Sequence, residues 1–222
     1  MKLKLKNLWP KKQVDPSNST EVEPRLITSN NKGLWEDAVS TVLLILVAFL
    51  IALFTKAYVI QPYIVDGQSM ETTLQNHDRL LVNKLPRTFA RLTGHQYTPH
   101  RGDIIIFNQS GLPGYTGPKQ LIKRIVGLPG DHIVVKSGSI TIYNSSHPGG
   151  FDPDKSGAYH IAATSSPGDG DVDLTLNSHQ VFVCGDNRDH SEDSRYFGPV
   201  TTSNIVGKLA FRIFPLSKAQ HF

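Results

Sequence analysis

The chain is short of the residues that would let it be stapled or metal-clustered. It has 222 residues and a single cysteine, Cys184. No intrachain disulfide, paired redox site or cysteine-based zinc cluster can form from one thiol. Cys184 also closes the apolar run Val181-Phe182-Val183, a position that reads as inert packing rather than as a reactive nucleophile. Helical amphipathic periodicity is equally scarce. Outside one apolar run no convincing 3.6-residue pattern appears, and no internal repeat is present. Acid is missing from the first dozen residues, which hold Lys2, Lys4, Lys6, Lys11 and Lys12. Charge of either sign is missing from residues 38–55.

That last absence organises the chain. An uncharged run of about 18 residues, extended by Tyr58, Val59 and Ile60, is long enough to span a bilayer as a helix. Lys56 can snorkel to the interface, and Trp35 and Tyr58 stand where belt aromatics stand. The lysine cluster could by itself bind nucleic acid, but beside such a run it fits a membrane surface, with the tail cytoplasmic and the rest outside. Residues 1–37 are therefore read as a basic cytoplasmic tail with a flexible Pro/Ser/Asn/Thr-rich tether at 13–33, residues 38–57 as the anchor, and residues 58–222 as an extracytoplasmic domain. A cleavable signal peptide is the competing reading, with Thr55-Lys56-Ala57 as its small-x-small site. Its basic lead would be unusually long.

After the anchor the ordered runs look like strands. They are expected at 78–84, 103–108, 121–126, 132–136, 139–143, 180–184 and 204–214. Ser137-Gly138 makes a hairpin turn between the fourth and fifth. In the last run Ile205, Gly207, Leu209, Phe211 and Ile213 alternate against Val206, Lys208, Ala210, Arg212 and Phe214. A mostly β, antiparallel, barrel-like or sandwich domain is expected. Residues 144–178, rich in Gly, Pro, Ser and Asp, read as a long surface excursion.

Within the strand at 121–126 the alternation of faces puts Lys123 with Leu121 and Ile125. Arg124 goes to the other side with Ile122 and Val126. An amine among aliphatic side chains loses affinity for its proton and can become a neutral base; a lysine snorkelling from an edge strand is the bland alternative. Ser69 lies in the turn-prone stretch Asp66-Gly67-Gln68-Ser69-Met70-Glu71-Thr72-Thr73-Leu74. There a hydroxyl can be exposed and backbone N–H groups can face an oxyanion. A serine needs a base to act as nucleophile, and a neutral lysine can be one without histidine. Residues 185–195 form a third polar segment. Asp186, Asp189 and Asp193 offer hard oxygens for a metal, but Arg188 and Arg195 between them explain the same carboxylates by ion pairing. Spacing does not single out His190 from His95, His100, His132, His147, His160 or His179.

Taken together these segments resemble bacterial type I signal peptidase, a membrane-anchored serine endopeptidase that removes signal peptides from exported proteins. Five stretches carry the likeness: Gly67-Gln68-Ser69-Met70, residues 78–84, residues 101–105, residues 123–131 and, most specific, residues 185–195. The resemblance implies Ser69 as nucleophile and Lys123 as general base. It implies Ser191 orienting the lysine amine, and Asp193 and Arg195 bracing that loop by a salt bridge. It further implies small-residue pockets lined by Met70, Leu74, Leu121 and Ile122, with Val65 added, that accept Ala-x-Ala sites. No cofactor and no metal are implied. The partners are signal-peptide-bearing precursors, the lipid bilayer and the export machinery, not nucleic acid, and the place is the plasma membrane. Two positions depart from the family pattern. Gly67 stands where some members carry an oxyanion-binding serine, so the hole must use backbone N–H, that of Ser69 first. Thr72 replaces a common proline and is expected to loosen the turn. The short excursion and single anchor look like the Gram-positive form. A self-cleaving repressor-type protease shares the serine–lysine logic but lacks the anchor, and a non-catalytic tethered β module, presenting residues 144–178 to a ligand, is the alternative from another class.

Overall fold

The computed structural model describes residues 31–157, 159, 161 and 171–222. The lysine cluster, most of the tether, His160 and residues 162–170 of the excursion lie outside them. The chain falls into two compact units, Met1–Leu46 and Val47–Phe222. Helix α1 (Asn31–Phe54) is followed by one wider helical turn, Thr55–Val59. From Trp35 to Val59 it is long and apolar enough to cross a membrane. Every side chain from Trp35 to Phe54 is exposed. The helix starts ahead of the uncharged run because residues 31–37 hold no proline, and the cost of Gly33 falls in its first turn.

The second unit is built on strands, and every pairing described is antiparallel. The strands are β1 (Ile60–Ile64), β2 (Arg79–Asn83), β3 (Ile104–Gln109), β4 (Lys119–Gly127), β5 (His132–Lys136), β6 (Ser139–Asn144), β7 (His147–Phe151), β8 (Val172–Thr175), β9 (Gln180–Cys184), β10 (Val200–Thr201), β11 (Ile205–Phe214) and β12 (Gln220–His221). They form an eight-stranded sheet in the order β1-β2-β11-β3-β4-β9-β10, with β12 added to β11, and a four-stranded sheet β7-β6-β5-β8. Two short helices complete the unit, α2 (Leu85–Leu92) and α3 (Ser194–Phe197).

All seven expected strands are present, and the mostly β antiparallel class holds. Three features differ from expectation. Residues 60–64 form an edge strand that merges in sequence with the apolar span. An eight-residue helix, α2, follows β2 where none was expected. Residues 144–178 are more than a surface excursion, for they supply β7 and β8, which flank the β5–β6 hairpin. The pattern was hidden because β7 reads His147-Pro148-Gly149-Gly150-Phe151, with no apolar alternation.

The core is layered around β4. Ile125, Val183, Phe107 and Ile205 pack on one face, while Val126, Phe182, Ile133 and Ile142 join the two sheets on the other. A third cluster, Val65, Met70, Leu74, Leu80, Ile104 and Leu209, fills the space under the turn that joins β1 to β2. Gly207 sits at a register shift of β11 against β3. A Cβ there would lie 2.6 Å from Asn83 O and 2.8 Å from Val82 Cγ1. Both neighbours belong to a packed strand that cannot recede cheaply. Replacing Gly207 by alanine is expected to cost about 1–3 kcal/mol of unfolding free energy by overpacking. Denaturant unfolding of the detergent-solubilised protein measures it, and an unchanged midpoint would show that β2 can shift.

Candidate active site

Three segments far apart in sequence meet at one residue, Ser69. The connection from β1 to β2 carries Ser69, the middle of β4 carries Lys123, and the loop after β9 carries residues 185–195. Lys123 Nζ and Ser69 Oγ are hydrogen-bonded at 2.7 Å. The alternation along β4 produces this contact. Leu121 and Ile125 join the cluster on one face, Ile122 and Val126 the clusters on the other, so Lys123 points where an aliphatic side chain would. The lysine is only 3% exposed. Burial pulls its pKa from 10.5 down to about 8, and the charges of Asp193 and Glu192 offset part of that fall. About a tenth of the amine is then neutral at pH 7 and about half at pH 8. Among the described residues no histidine shares a hydrogen bond with Ser69. His190 lies exposed at the cleft rim, 3.3 Å from Asn187 Oδ1.

The loop at 185–195 is held by buried charge pairs. Asp193 and Arg195 are both fully buried. Arg195 Nε donates to Asp193 Oδ1 at 2.9 Å, and Asp193 Oδ2 accepts from Gly185 N at 2.9 Å and from Ser191 Oγ at 2.7 Å. Ser191 Oγ thus donates to Asp193, and no hydrogen bond between it and the lysine amine is found among the described residues. The hydroxyl prefers a carboxylate because charge-assisted bonds are the stronger ones. Asp186 pairs with Arg124 in a two-pronged contact of 2.8 and 2.6 Å. Arg124 and Asp186 were not singled out in the sequence as partners, although both stand beside residues that were. Two of the three loop carboxylates considered as metal ligands are thus taken by guanidinium groups, and Asp189 is exposed. A second missed contact comes from the excursion. Asp154 receives both terminal nitrogens of Arg188, one at 2.6 Å, while Arg188 Nε donates to Gly185 O at 3.0 Å.

Gly185 is where the loop meets the turn that carries Ser69. A Cβ on it would stand 2.4 Å from Ser69 O and 2.2 Å from Ser191 Oγ, so only glycine fits. Asn187 completes the seam: its N–H donates to Ser69 O at 3.0 Å and its side-chain amide to Gln68 O at 3.2 Å. In the turn itself the Gly67 N–H is occupied by Asn76 Oδ1 at 3.1 Å. No such partner engages the Ser69 N–H within the described residues, so it is one donor free to face an oxyanion. Thr72 adopts φ +57°. Proline cannot take that conformation, so the turn is reshaped here rather than merely loosened.

Ser69 and Lys123 open onto a cleft of about 300 Å³ walled by Val65, Leu121 and Ile122 and also by Tyr63, Leu80 and Ile106. Met70 and Leu74 do not line it. At 1% and 0% exposed they pack behind Val65 as its support. Tyr63 escaped notice because residues 60–64 were not read as a strand. On a strand it shares a face with Val65.

Comparison with known proteins gives the family of the chain. The family model described as "Signal peptidase, peptidase S26" matches residues 38–214. The chain is 33% identical over 191 residues to the probable signal peptidase I-1 of Synechocystis sp., an alignment covering 83% of this chain and 86% of that one. It is 32% identical over 179 residues to signal peptidase I P of Bacillus subtilis subsp. natto, covering 80% and 89%. Signal peptidase IB of Staphylococcus aureus is 29% identical over 192 residues, covering 80% and 90%. A solved structure of a signal peptidase I from Enterococcus faecalis V583 aligns at 29% identity and a TM-score of 0.36, over 50% of this chain and 97% of that one.

The buried amine has a consequence for stability. In the unfolded chain Lys123 keeps an ordinary pKa near 10.5, whereas in the fold it is about 8. Below pH 8 the native state carries a desolvated ammonium. Between the two values the unfolded state binds more protons, so stability rises with pH there. Lys123→Met removes that penalty. The variant is expected to be more stable than the parent below pH 8, with the difference shrinking as pH climbs toward 10.5. Denaturant midpoints across that range test it, and a pH-independent difference would contradict the buried, depressed amine.

Proposed function

Because the chain belongs to the signal peptidase family, peptidase S26, in its Gram-positive-like type I form, we propose that it is a membrane-anchored serine endopeptidase working through Ser69 and Lys123. Its substrates are precursor proteins with signal peptides. The observation that carries the reading is the 2.7 Å contact between the Ser69 hydroxyl and an amine depressed by burial. A serine hydroxyl is a weak nucleophile until a base sits at hydrogen-bonding distance, and a lysine is a base only once neutral.

Ser69 Oγ attacks the scissile carbonyl while its proton passes to neutral Lys123 Nζ. The negative oxygen that develops faces the Ser69 N–H, the backbone donor left open in the turn. Collapse of the tetrahedral species breaks the C–N bond. The ammonium of Lys123 gives its proton to the departing amine, leaving an ester on Ser69 and a neutral lysine. A water then attacks the ester while Lys123 takes its proton; the acyl C–Oγ bond breaks, Lys123 returns the proton to Ser69 Oγ, and the new carboxyl terminus leaves. Asp193, held by Arg195, and Ser191, held by Asp193, brace the loop on which the contact rests. The cleft walled by Val65, Leu121 and Ile122 suits small side chains at positions −1 and −3, the Ala-x-Ala pattern. Met70 and Leu74 act there indirectly by backing Val65.

The span from Trp35 to Val59 would hold the domain on the outer side of the cytoplasmic membrane, with the basic N-terminal tail inside. Confinement near the bilayer raises the effective concentration of the cleft where a signal peptide's cleavage site emerges. No cofactor or metal enters the mechanism.

The test is cleavage of a purified precursor with an Ala-x-Ala site by the full chain in detergent micelles. The parent is expected to cut, and Ser69→Ala or Lys123→Ala to lower the rate by a factor on the order of 10³ or more. Cleavage surviving both substitutions would sink the pair. The pH–rate profile should also show an acidic limb near 8, where Lys123 protonates. Glu192 favours the ammonium, so Glu192→Gln is expected to move that limb to lower pH. A limb that stays put would mean that another group titrates.

A further inference from the structure

We infer that α2 is a second membrane contact: an interfacial helix that presses Leu85, Phe89 and Leu92 into the headgroup–acyl boundary of the leaflet in which the span ends. This rests on the reading of residues 35–59 as a transmembrane anchor and goes beyond it, since the anchor alone requires nothing of α2.

The first observation is where the fold fixes the helix. β1 begins immediately after the span, and β2 runs antiparallel to it with Ile60 opposite Asn83. β2 therefore ends level with the point where the chain leaves the span, and α2 starts two residues later. Lys84 N donates to Val59 O at 2.8 Å, and Thr88 Oγ1 donates to Tyr58 O at 3.0 Å. A helix hydrogen-bonded to the last residues of a membrane span lies at the height of the membrane surface.

The second observation is what α2 shows to its surroundings. Leu85, Phe89 and Leu92 stand at i, i+4 and i+7, one stripe of the helix, and are 47%, 69% and 80% exposed. Ala90 is buried against the domain, and Arg87 and Arg91 lie on the polar side. Leucine and phenylalanine on one face with arginine on the other is the composition of helices that lie in a bilayer interface.

Charge agrees. Residues 79–102 contain no aspartate or glutamate but carry Arg79, Lys84, Arg87, Arg91 and Arg101. Such a segment is drawn to anionic lipid headgroups. The bilayer is thus favoured over a second protein as the cover for this stripe. Two attachments, the span and α2, would restrict how the catalytic unit swings above the membrane, where a single flexible attachment would not.

A depth measurement on the full chain in vesicles containing anionic phosphatidylglycerol tests this. Cys184 is fully buried, with its thiol pushed up by burial, so it stays unlabelled. Single nitroxides are placed at Leu92→Cys, at Leu44→Cys within the span, and at Lys136→Cys on the far β5–β6 hairpin. Collision with oxygen, which partitions into lipid, is compared with collision with a water-soluble nickel complex. The expected result is a deep label at 44, a boundary label at 92 with oxygen exceeding nickel, and a solvent label at 136. A label at 92 that matches 136 while 44 stays deep would overturn the inference and leave the anchor standing. Water at 44 as well would remove the anchor reading and this inference together. A label at 92 shielded from both reagents would overturn it in favour of a protein partner. Replacing Leu85 and Phe89 by glutamine alongside should shift the label at 92 toward water, while a short soluble peptide is cut as by the parent.

Discussion

The desolvated amine of Lys123 is the constraint around which the rest is arranged. A buried ammonium ordinarily recruits a carboxylate, and an ion pair of that kind would keep it charged and useless as a base. Asp193 is the nearest such carboxylate to influence it, yet its oxygens are already engaged by Arg195, Gly185 and Ser191. What reaches the amine is the residual field of a neutralised group, enough to temper the fall in pKa but not to reverse it. The hydrogen-bonding partner left to the lysine is the Ser69 hydroxyl. Saturation of Asp193 by its own loop and deprotonation of Lys123 are thus two sides of one arrangement.

Much of this was legible in the sequence where local pattern carries the information. The period of two along β4 put Lys123 among aliphatic side chains, and the order of the motifs paired it with Ser69. What could not be read depends on contacts between distant residues. Asp154 and Arg188 are 34 positions apart, and nothing local marks Asp154 as the partner of the loop at 185–195 rather than a solvated acid in a polar stretch. The β1 strand was absorbed into the apolar span because Ile60, Pro62 and Ile64 face outward on an edge, leaving no polar alternation. The helix α2 is eight residues long, too short for a period of 3.6 to declare itself.

The two departures from the family pattern turn out differently from one another. Gly67 at φ +107° holds a conformation that costs a serine more than a glycine, and its N–H is committed to Asn76. The missing hydroxyl thus belongs to a turn whose backbone suits glycine, and in the proposed mechanism the oxyanion is left to backbone N–H groups, that of Ser69 first. Thr72 is the sharper case, since a β-branched residue at positive φ is rare. Strain of that kind persists only where surrounding contacts over-determine the backbone. Here Thr73 N and Leu74 N both donate to Met70 O, and Leu74 is fully buried beneath.

The three guanidinium–carboxylate pairs of the loop, Arg195 with Asp193, Arg124 with Asp186 and Arg188 with Asp154, are poor evidence of stability as such. Burying a charge pair costs desolvation that its attraction often only repays. An apolar cluster of the same volume would hold the loop as firmly, but with many nearly equivalent packings. Two-pronged arginine contacts are directional, so they fix angles as well as distances. The loop has to set Gly185 against Ser69 O without room for a Cβ, and that tolerance demands direction rather than bulk. Guanidinium groups also keep their charge throughout the range in which a lysine amine gains and loses its proton. In the proposed mechanism the scaffold is therefore built from charges that do not titrate with the reaction, and a proton passing between Ser69 and Lys123 would not loosen the frame that brings them together.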